Sequence, residues 1–330
     1  MTRAIHLARQ PGEQIAPEDF AVTEVTLPEP QDGEVRVRNL FASLDPYMRL
    51  PLTAREGLHP AKRPGDAMTG AAVGVVEQSR DATLPPSTLV VSQSGWCEAF
   101  VAPAAGLRAL PADTPHPSWY LGVLGLTGIT AWLGVERVLK PQAGETVYIS
   151  GAAGAVGSIA CGLAKRHGAR VIGTAGTDEK CRWLVEDVGC AAAGNYRTEP
   201  VGDFLARVAP NGVDAAFDNV GGATLDAMLQ AMVPGGRIAL CGAISQYETA
   251  DYRGGPADFF RIIERGLTLT GFNAGQAGAD APTILADLQA AAMAGDIVVR
   301  ETIVEGIEAV PAAFAALFSS ATTGKLIARF

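Results

Sequence analysis

The stretch that most constrains this chain is YISGAAGAVGSIACGLAKRHGARVIGTAGTDEK, residues 148–180. An apolar strand-like run reaches Gly151, Gly154 and Gly157, a run of small residues with helical character follows, and a second strand-like run, ARVIGTA, closes the unit. Small residues at a strand-to-helix turn let backbone N–H groups approach a pyrophosphate, and the helix N-terminus adds partial positive charge. The spacing is A-x-G-x-x-G, with Ala152 where the first glycine usually stands. Such a motif alone is weak; a preceding strand, a following helix and a second strand at the right distance make it a dinucleotide site. Gly151, Gly154 and Gly157 are the small residues of that turn.

The second strand ends in Gly173-Thr174-Ala175-Gly176-Thr177, with no acid. An NAD site commonly places a carboxylate there for the ribose hydroxyls, and a carboxylate would repel a 2′-phosphate. Thr174, Thr177 and Lys180 stand at the right distance to receive that phosphate, and Tyr196 follows the expected third strand. Asp178 lies past the strand end and reads as a loop or helix-start residue. The expected cofactor is therefore NADPH.

The rest of the chain divides by texture. Up to about Leu110, β-like runs such as FAVTEVTL, EVRVRNLFASL and AAVGVVEQS alternate with Pro/Gly/Asp turns, the pattern of a small β barrel or sandwich. Beyond a proline-rich seam, PADTPHPSWYLG, apolar strand-like runs alternate with helix-like segments, which implies a parallel sheet. The expectation is an α/β protein with a doubly wound parallel Rossmann sheet and a β-rich domain. The boundaries fall at 1–117 for the β-rich domain, 118–294 for the dinucleotide domain and 295–330 for a C-terminal return to the first. A net charge of -9 argues against a general nucleic-acid or membrane-surface binder. No apolar run reaches the length of a membrane span. Five widely spaced cysteines suggest neither a disulfide framework nor a zinc ribbon, and the expected location is the cytoplasm.

Taken in order, FASLDPYMR (41–49), LGLTGITAW (124–132), GAAGAVGS (151–158), GTDEKCRWL, NYRTE, FDNVGG (217–222), GGRIALCGAISQY (235–247) and a final Gly-Lys resemble the zinc-independent medium-chain dehydrogenase/reductases. The likeness is to the branch of leukotriene hydroxydehydrogenase/prostaglandin reductases, plant alkenal double-bond reductases and bacterial curcumin reductases, and it covers nearly the whole chain. The resemblance implies a GroES-like catalytic domain, a Rossmann domain, a homodimer, and NADPH-dependent reduction of the C=C bond of small-molecule enones or enals. It also implies that Gly154, Ala155, Val156 and Gly157 hold the pyrophosphate, and that Lys180 and Tyr196 hold the 2′-phosphate. Asn219, Cys241, Ser245 and Tyr247 would line the ribose and nicotinamide side, and Thr130 would sit near the nicotinamide. Phe272 and Thr323 occupy positions where relatives contact the cofactor, although the surrounding sequences, GFNAGQAG and ATTGK, depart from the usual pattern.

The first-domain stretches lack the Cys and His–Glu ligands of zinc-dependent cousins, and His6, His59, His116 and His167 stand alone, so no metal is expected. Hydride addition to an enone asks the protein for orientation and an oxygen-side hydrogen bond rather than an acid–base pair. Tyr47 and Tyr247 are the candidates for that bond, with Tyr247 better placed to orient the ribose. Ser43 and Asp45 read as turn or packing residues. Two alternatives remain at this point: a quinone reductase, and an NADPH-binding protein with an RNA-binding or structural role.

Overall fold

The computed structural model describes residues 1–53, 60–247, 255–319 and 321–330, and the chain forms two units, Met1–Gly122 with Glu301–Phe330, and Val123–Arg300. The first unit opens with an antiparallel ribbon of β1 (Thr2–Leu7) and β2 (Phe20–Val25). It continues through β3 (Glu34–Ser43), β4 (Ala72–Ser79), β5 (Leu89–Ser92), β6 (Ala99–Pro103) and β7 (Arg108–Ala109). In β3, Val35 and Val37 point inward while Arg36 and Arg38 alternate with them, the period-two pattern of a strand with one buried face. Val35 and Val37 pack with Val76, Val90 and Phe100. A second core gathers Trp96 against Phe20 and Phe314, with ring centroids 5.6 and 5.1 Å apart.

The second unit begins with α1 (Leu126–Trp132), which runs on as a π-helical segment, Leu133–Leu139. Strands and helices then alternate: β8 (Thr146–Ile149), α2 (Ala155–Arg166), β9 (Arg170–Ala175), α3 (Asp178–Glu186), β10 (Ala192–Asn195) and α4 (Val201–Val208). The second half repeats the rhythm with β11 (Val213–Asp218), α5 (Gly222–Ala231), β12 (Met232–Leu240), α6 (Phe260–Arg265), β13 (Thr268–Gly271) and α7 (Ala281–Ala294). All six strands are parallel, in the order β10-β9-β8-β11-β12-β13. This is the doubly wound dinucleotide-binding arrangement, and the strand order reverses between β8 and β11. The central strands are almost continuously buried because helices cover both faces of such a sheet.

The chain then returns to the first unit through β14 (Glu301–Glu305), α8 (Val310–Ala316) and β15 (Lys325–Arg329). These strands extend the first sheet to seven, in the order β14-β15-β3-β4-β5-β7 with β6 also paired to β3. The observed seams fall after Gly122 and Arg300, somewhat later than the 117 and 294 read from the sequence. Packing explains both shifts. Leu121 belongs to a core with Val73 and Ile327, which holds the Pro117–Leu121 turn in the first unit. Ile297 sits against Gly162 of α2, which holds the end of α7 and its following loop in the second.

Candidate active site

The glycine turn lies where β8 ends and α2 begins. Gly151 has φ +57°, a left-handed conformation suited to glycine, and its carbonyl accepts the amide of Gly154 at 3.0 Å. A Cβ on Gly157 would stand 2.4 Å from the Gly151 carbonyl oxygen, and one on Gly173 would stand 2.5 Å from the Ala152 methyl. Ala152 is accommodated because Gly173 of β9 makes room for it. Gly154 caps α2, and among the described residues no side chain caps this end. The amides of Ala155, Val156 and Gly157 thus stand in the first turn of a helix, the kind of N-terminus that favours an anion.

At the end of β9, Thr177 caps α3, its Oγ1 accepting the Lys180 amide at 3.3 Å. Asp178 opens α3, and its carboxylate accepts the Asn195 side-chain amide at 2.7 Å, so the acid is engaged at the helix start. Thr174 corrects the sequence expectation. Its hydroxyl shares a 2.8 Å hydrogen bond with Tyr148 inside the sheet, and with 2% exposure it cannot reach a phosphate. Strand alternation turns it inward.

Lys180 is only 8% exposed, and its ammonium is pushed below its usual pKa by burial and then by the guanidinium of Arg197. The Glu179 carboxylate offsets part of that shift. Tyr196, exposed on the same loop, has its amide on the Ala175 carbonyl at 3.1 Å. The sequence reading passed over Arg197. Its signal was the basic residue directly after Tyr196 in NYRTE.

The strand ends at the switch point are laced together. Ser150 donates to the buried Asp218 carboxylate at 2.9 Å, and the Asn219 amide donates to the Ser150 hydroxyl at 2.9 Å. The Asn219 side chain donates to the Ser150 carbonyl at 2.8 Å. Burial raises the Asp218 carboxyl, while the Val220 and Gly221 amides and Ser150 lower it. Ser245 donates to the Val220 carbonyl at 2.6 Å, and the Ala243 amide reaches the Tyr247 hydroxyl at 3.4 Å. Cys241 follows β12 with its amide on the Asp218 carbonyl, its thiol pushed up to about 12 by burial and by the Asp218 charge. Asn219, Cys241, Ser245 and Tyr247 therefore cluster on the two loops that leave β11 and β12, at the carboxyl edge where such sheets bind dinucleotides.

Other predicted residues have different surroundings. Thr130 spends its hydroxyl on the Leu126 carbonyl at 2.7 Å, within α1. Phe272 makes an edge contact with Phe217 at 5.9 Å, and a Cβ on Gly134 would stand 2.7 Å from its ring. Thr323 belongs to the first unit, where its carbonyl accepts the Thr302 hydroxyl at 2.7 Å. Tyr47 is also in the first unit, half-buried on the 3-10 turn Pro46–Leu52 whose N-cap is Asp45. Its hydroxyl is pushed up to about 12, first by burial and then by the Asp45 charge.

The histidines are individually engaged. His6 pairs with Thr23 at 2.9 Å, His167 with Glu136 at 2.9 Å, and His116 stacks on Trp119 at 4.3 Å; His59 lies outside the described residues. Among the described residues no three His, Cys, Asp or Glu side chains come together as a metal site, and no helix is long and apolar enough to cross a membrane.

Comparison with known proteins agrees with this geometry. Residues 3–110 match the family described as the N-terminal domain of oxidoreductase, and residues 155–291 match the family described as zinc-binding dehydrogenase. Prostaglandin reductase 1 of Rattus norvegicus is 38% identical over 317 residues, covering 94% of each chain. The NADP(+)-dependent 2-alkenal reductase of Nicotiana tabacum is 36% identical over 298 residues, 89% of this chain and 87% of that protein. The crystal structure of CurA in complex with NADPH, from Vibrio vulnificus, superposes with a TM-score of 0.93 at 33% identity, covering 99% of this chain and 98% of that one.

Proposed function

The chain belongs to the medium-chain dehydrogenase/reductases, in the branch of prostaglandin, curcumin and alkenal reductases, and from that membership we propose that it reduces the C=C bond of α,β-unsaturated ketones and aldehydes with NADPH. The observation that carries the cofactor choice is the buried Lys180 beside Arg197, at a strand end where Asp178 is engaged by Asn195. Gly154 to Gly157 hold the pyrophosphate; Lys180, Arg197, Tyr196 and Thr177 surround the 2′-phosphate. Asn219, Cys241, Ser245 and Tyr247 serve the ribose and nicotinamide side, with Thr130, Phe272 and Thr323 as further contacts.

When bound, NADPH supplies a hydride to the β-carbon of the enone. Charge then develops on the carbonyl oxygen of the substrate, and a neutral donor there stabilises the enolate. Tyr47 is that donor in this reading: a hydroxyl pushed up to about 12 stays protonated throughout the neutral range. Tyr247, its hydroxyl beside the Ala243 amide, orients the cofactor. No metal takes part in this reading, since the stretches LFASLDPYMR and RPGDAMTGAAVG carry no Cys or His–Glu pair. The five cysteines are free thiols, which fits a reducing cytoplasm. The partners are small molecules and a second copy of the chain rather than nucleic acid or membrane. A homodimer is supported by β13, which among the described residues ends its sheet, and by Phe259, Phe260 and Ile263, each more than 60% exposed on or beside α6.

The deciding experiment is NADPH oxidation with an aromatic conjugated enone, the product identified by mass and NMR. The expected product is the saturated ketone. An allylic alcohol, or turnover of quinones alone, would overturn the reading. Tyr47→Phe should lower kcat by about 100-fold, the usual cost of one oxyanion donor.

A further inference from the structure

A buried ion pair underlies the turn that carries Tyr47. Lys325, the first residue of β15, donates from Nζ to the Asp45 carboxylate at 2.7 Å and to the Leu44 carbonyl at 2.9 Å. The two side chains are 4% and 9% exposed. Ser43 donates to the other oxygen of Asp45. The ammonium thus grips two consecutive residues, and the carboxylate is held from both sides.

This exceeds what a turn requires. Asp45 sits at the N-cap of the Pro46–Leu52 turn, yet its side chain makes no capping hydrogen bond to that turn. Both of its oxygens face away, toward Ser43 of β3 and Lys325 of β15. Nor is Asp45 the only carboxylate within the lysine's field. Glu301 pairs with Lys325 in the register of β14 and β15, but its carboxylate accepts the Ser118 hydroxyl at 2.9 Å. Its other buried oxygen, Oε1, has no hydrogen-bond partner. The ammonium reaches across to Asp45 instead. A buried pair of charges is seldom worth its desolvation as stability alone, and its best use is to select one geometry. Here it ties the last strand of the chain to the two residues that precede Pro46-Tyr47. Pro46 has a restricted φ, so an orientation imposed at Asp45 passes to Tyr47 with little slack.

We propose that Lys325 and Asp45 form a clamp that positions Tyr47 for its hydrogen bond to the substrate oxygen, so that Lys325 is a positioning residue of the reductase. This rests on the reading of Tyr47 as the enolate-side donor. The clamp acts on orientation within the first unit, so its loss lowers kcat and leaves the NADPH dissociation constant unchanged. A displacement of about 1 Å costs up to about 100-fold in rate.

The test is a double-mutant cycle on the full chain, read as kcat and KM for an enone at saturating NADPH. NADPH affinity is measured by fluorescence, and folding by thermal melting. Lys325→Met leaves Asp45 buried and unpaired and is expected to melt early. The informative variant is therefore Asp45→Asn/Lys325→Met, which removes both charges. Lys325→Arg keeps the pair. The charge-free double variant should fold, bind NADPH normally and lose kcat at least tenfold, whereas Lys325→Arg should recover most of the rate. Added to Tyr47→Phe, the double variant should cost little more. A full further loss in that background would overturn the clamp while leaving Tyr47 as donor, as would wild-type kcat in the double variant. Undiminished kcat in Tyr47→Phe alone would overturn the donor reading, and the clamp with it.

Discussion

Lys180 shows how much one side chain's surroundings decide. In solution its ammonium would titrate near 10.5, but burial and the neighbouring Arg197 lower that value. A phosphate dianion binds the protonated form, so binding takes up a proton where Lys180 has begun to lose it. The sign follows directly: the preference for NADPH over NADH should be full at neutral pH. It should decline as pH rises through the lowered pKa, earlier than for an ordinary lysine. Titrating both cofactors by fluorescence across alkaline pH tests this, and a flat NADPH/NADH ratio would count against it. Charge-assisted hydrogen bonds are worth about 1.5–3 kcal/mol each, so Lys180→Ala should weaken NADPH at least tenfold with NADH nearly unchanged. Arg197→Ala should weaken NADPH less, because Arg197 is exposed and screened.

At the scale of elements, the parallel sheet of the second unit is tied to the helical segment before it by one cation. Arg237 of β12 forms two hydrogen bonds with Glu145, just ahead of β8, and also donates to the carbonyls of Leu139 and Lys140. The Arg237 bond holds the Glu145 carboxyl below its ordinary value, outweighing desolvation. A carboxylate whose folded pKa is depressed contributes stability above its unfolded pKa, and that contribution is lost as pH falls through the folded value. Glu145→Gln should therefore cost about 1 kcal/mol at neutral pH, and the difference from the wild type should vanish in acid below the depressed pKa. Denaturant melts at neutral and acid pH check this; an equal loss at both would show that the pair is not the cause.

For the molecule as a whole, the prediction concerns assembly. A net charge of -9 makes chains repel one another at long range, yet the second unit exposes Phe259, Phe260 and Ile263, and among the described residues β13 ends its sheet. Such an edge is usually covered or charged in a protein that stays single. Light scattering of the wild type should give twice the 34.2 kDa chain mass. Phe260→Asp/Ile263→Asp should shift it to the single-chain value with the enzyme still folded. A wild type that elutes as a single chain would remove the dimer.

The β–α rhythm of the second unit was legible because its signals are local. Apolar runs, glycines at a turn and helix-period patterning act within a few residues of one another. The missing acid after β9 was legible for the same reason. The motif set of residues 41–49, 151–158 and 235–247 carried the family and the enone chemistry before any coordinates. Other features needed tertiary structure, because they join residues distant in sequence. β1 carries a weak signal, since Arg3 stands on the same strand face as Ile5 and Leu7 while Ala4 is buried on the other. Thr174 looked available until strand geometry turned it toward Tyr148. Arg197 became visible as a neighbour of Lys180 only when β10 brought its loop beside α3. Asp45 and Lys325 are separated by nearly the whole chain, and the sequence shows only a turn or packing acid and the lysine of the final Gly-Lys. Folding the last strand against β3 buried both charges, and in the low dielectric of that core they had to find each other.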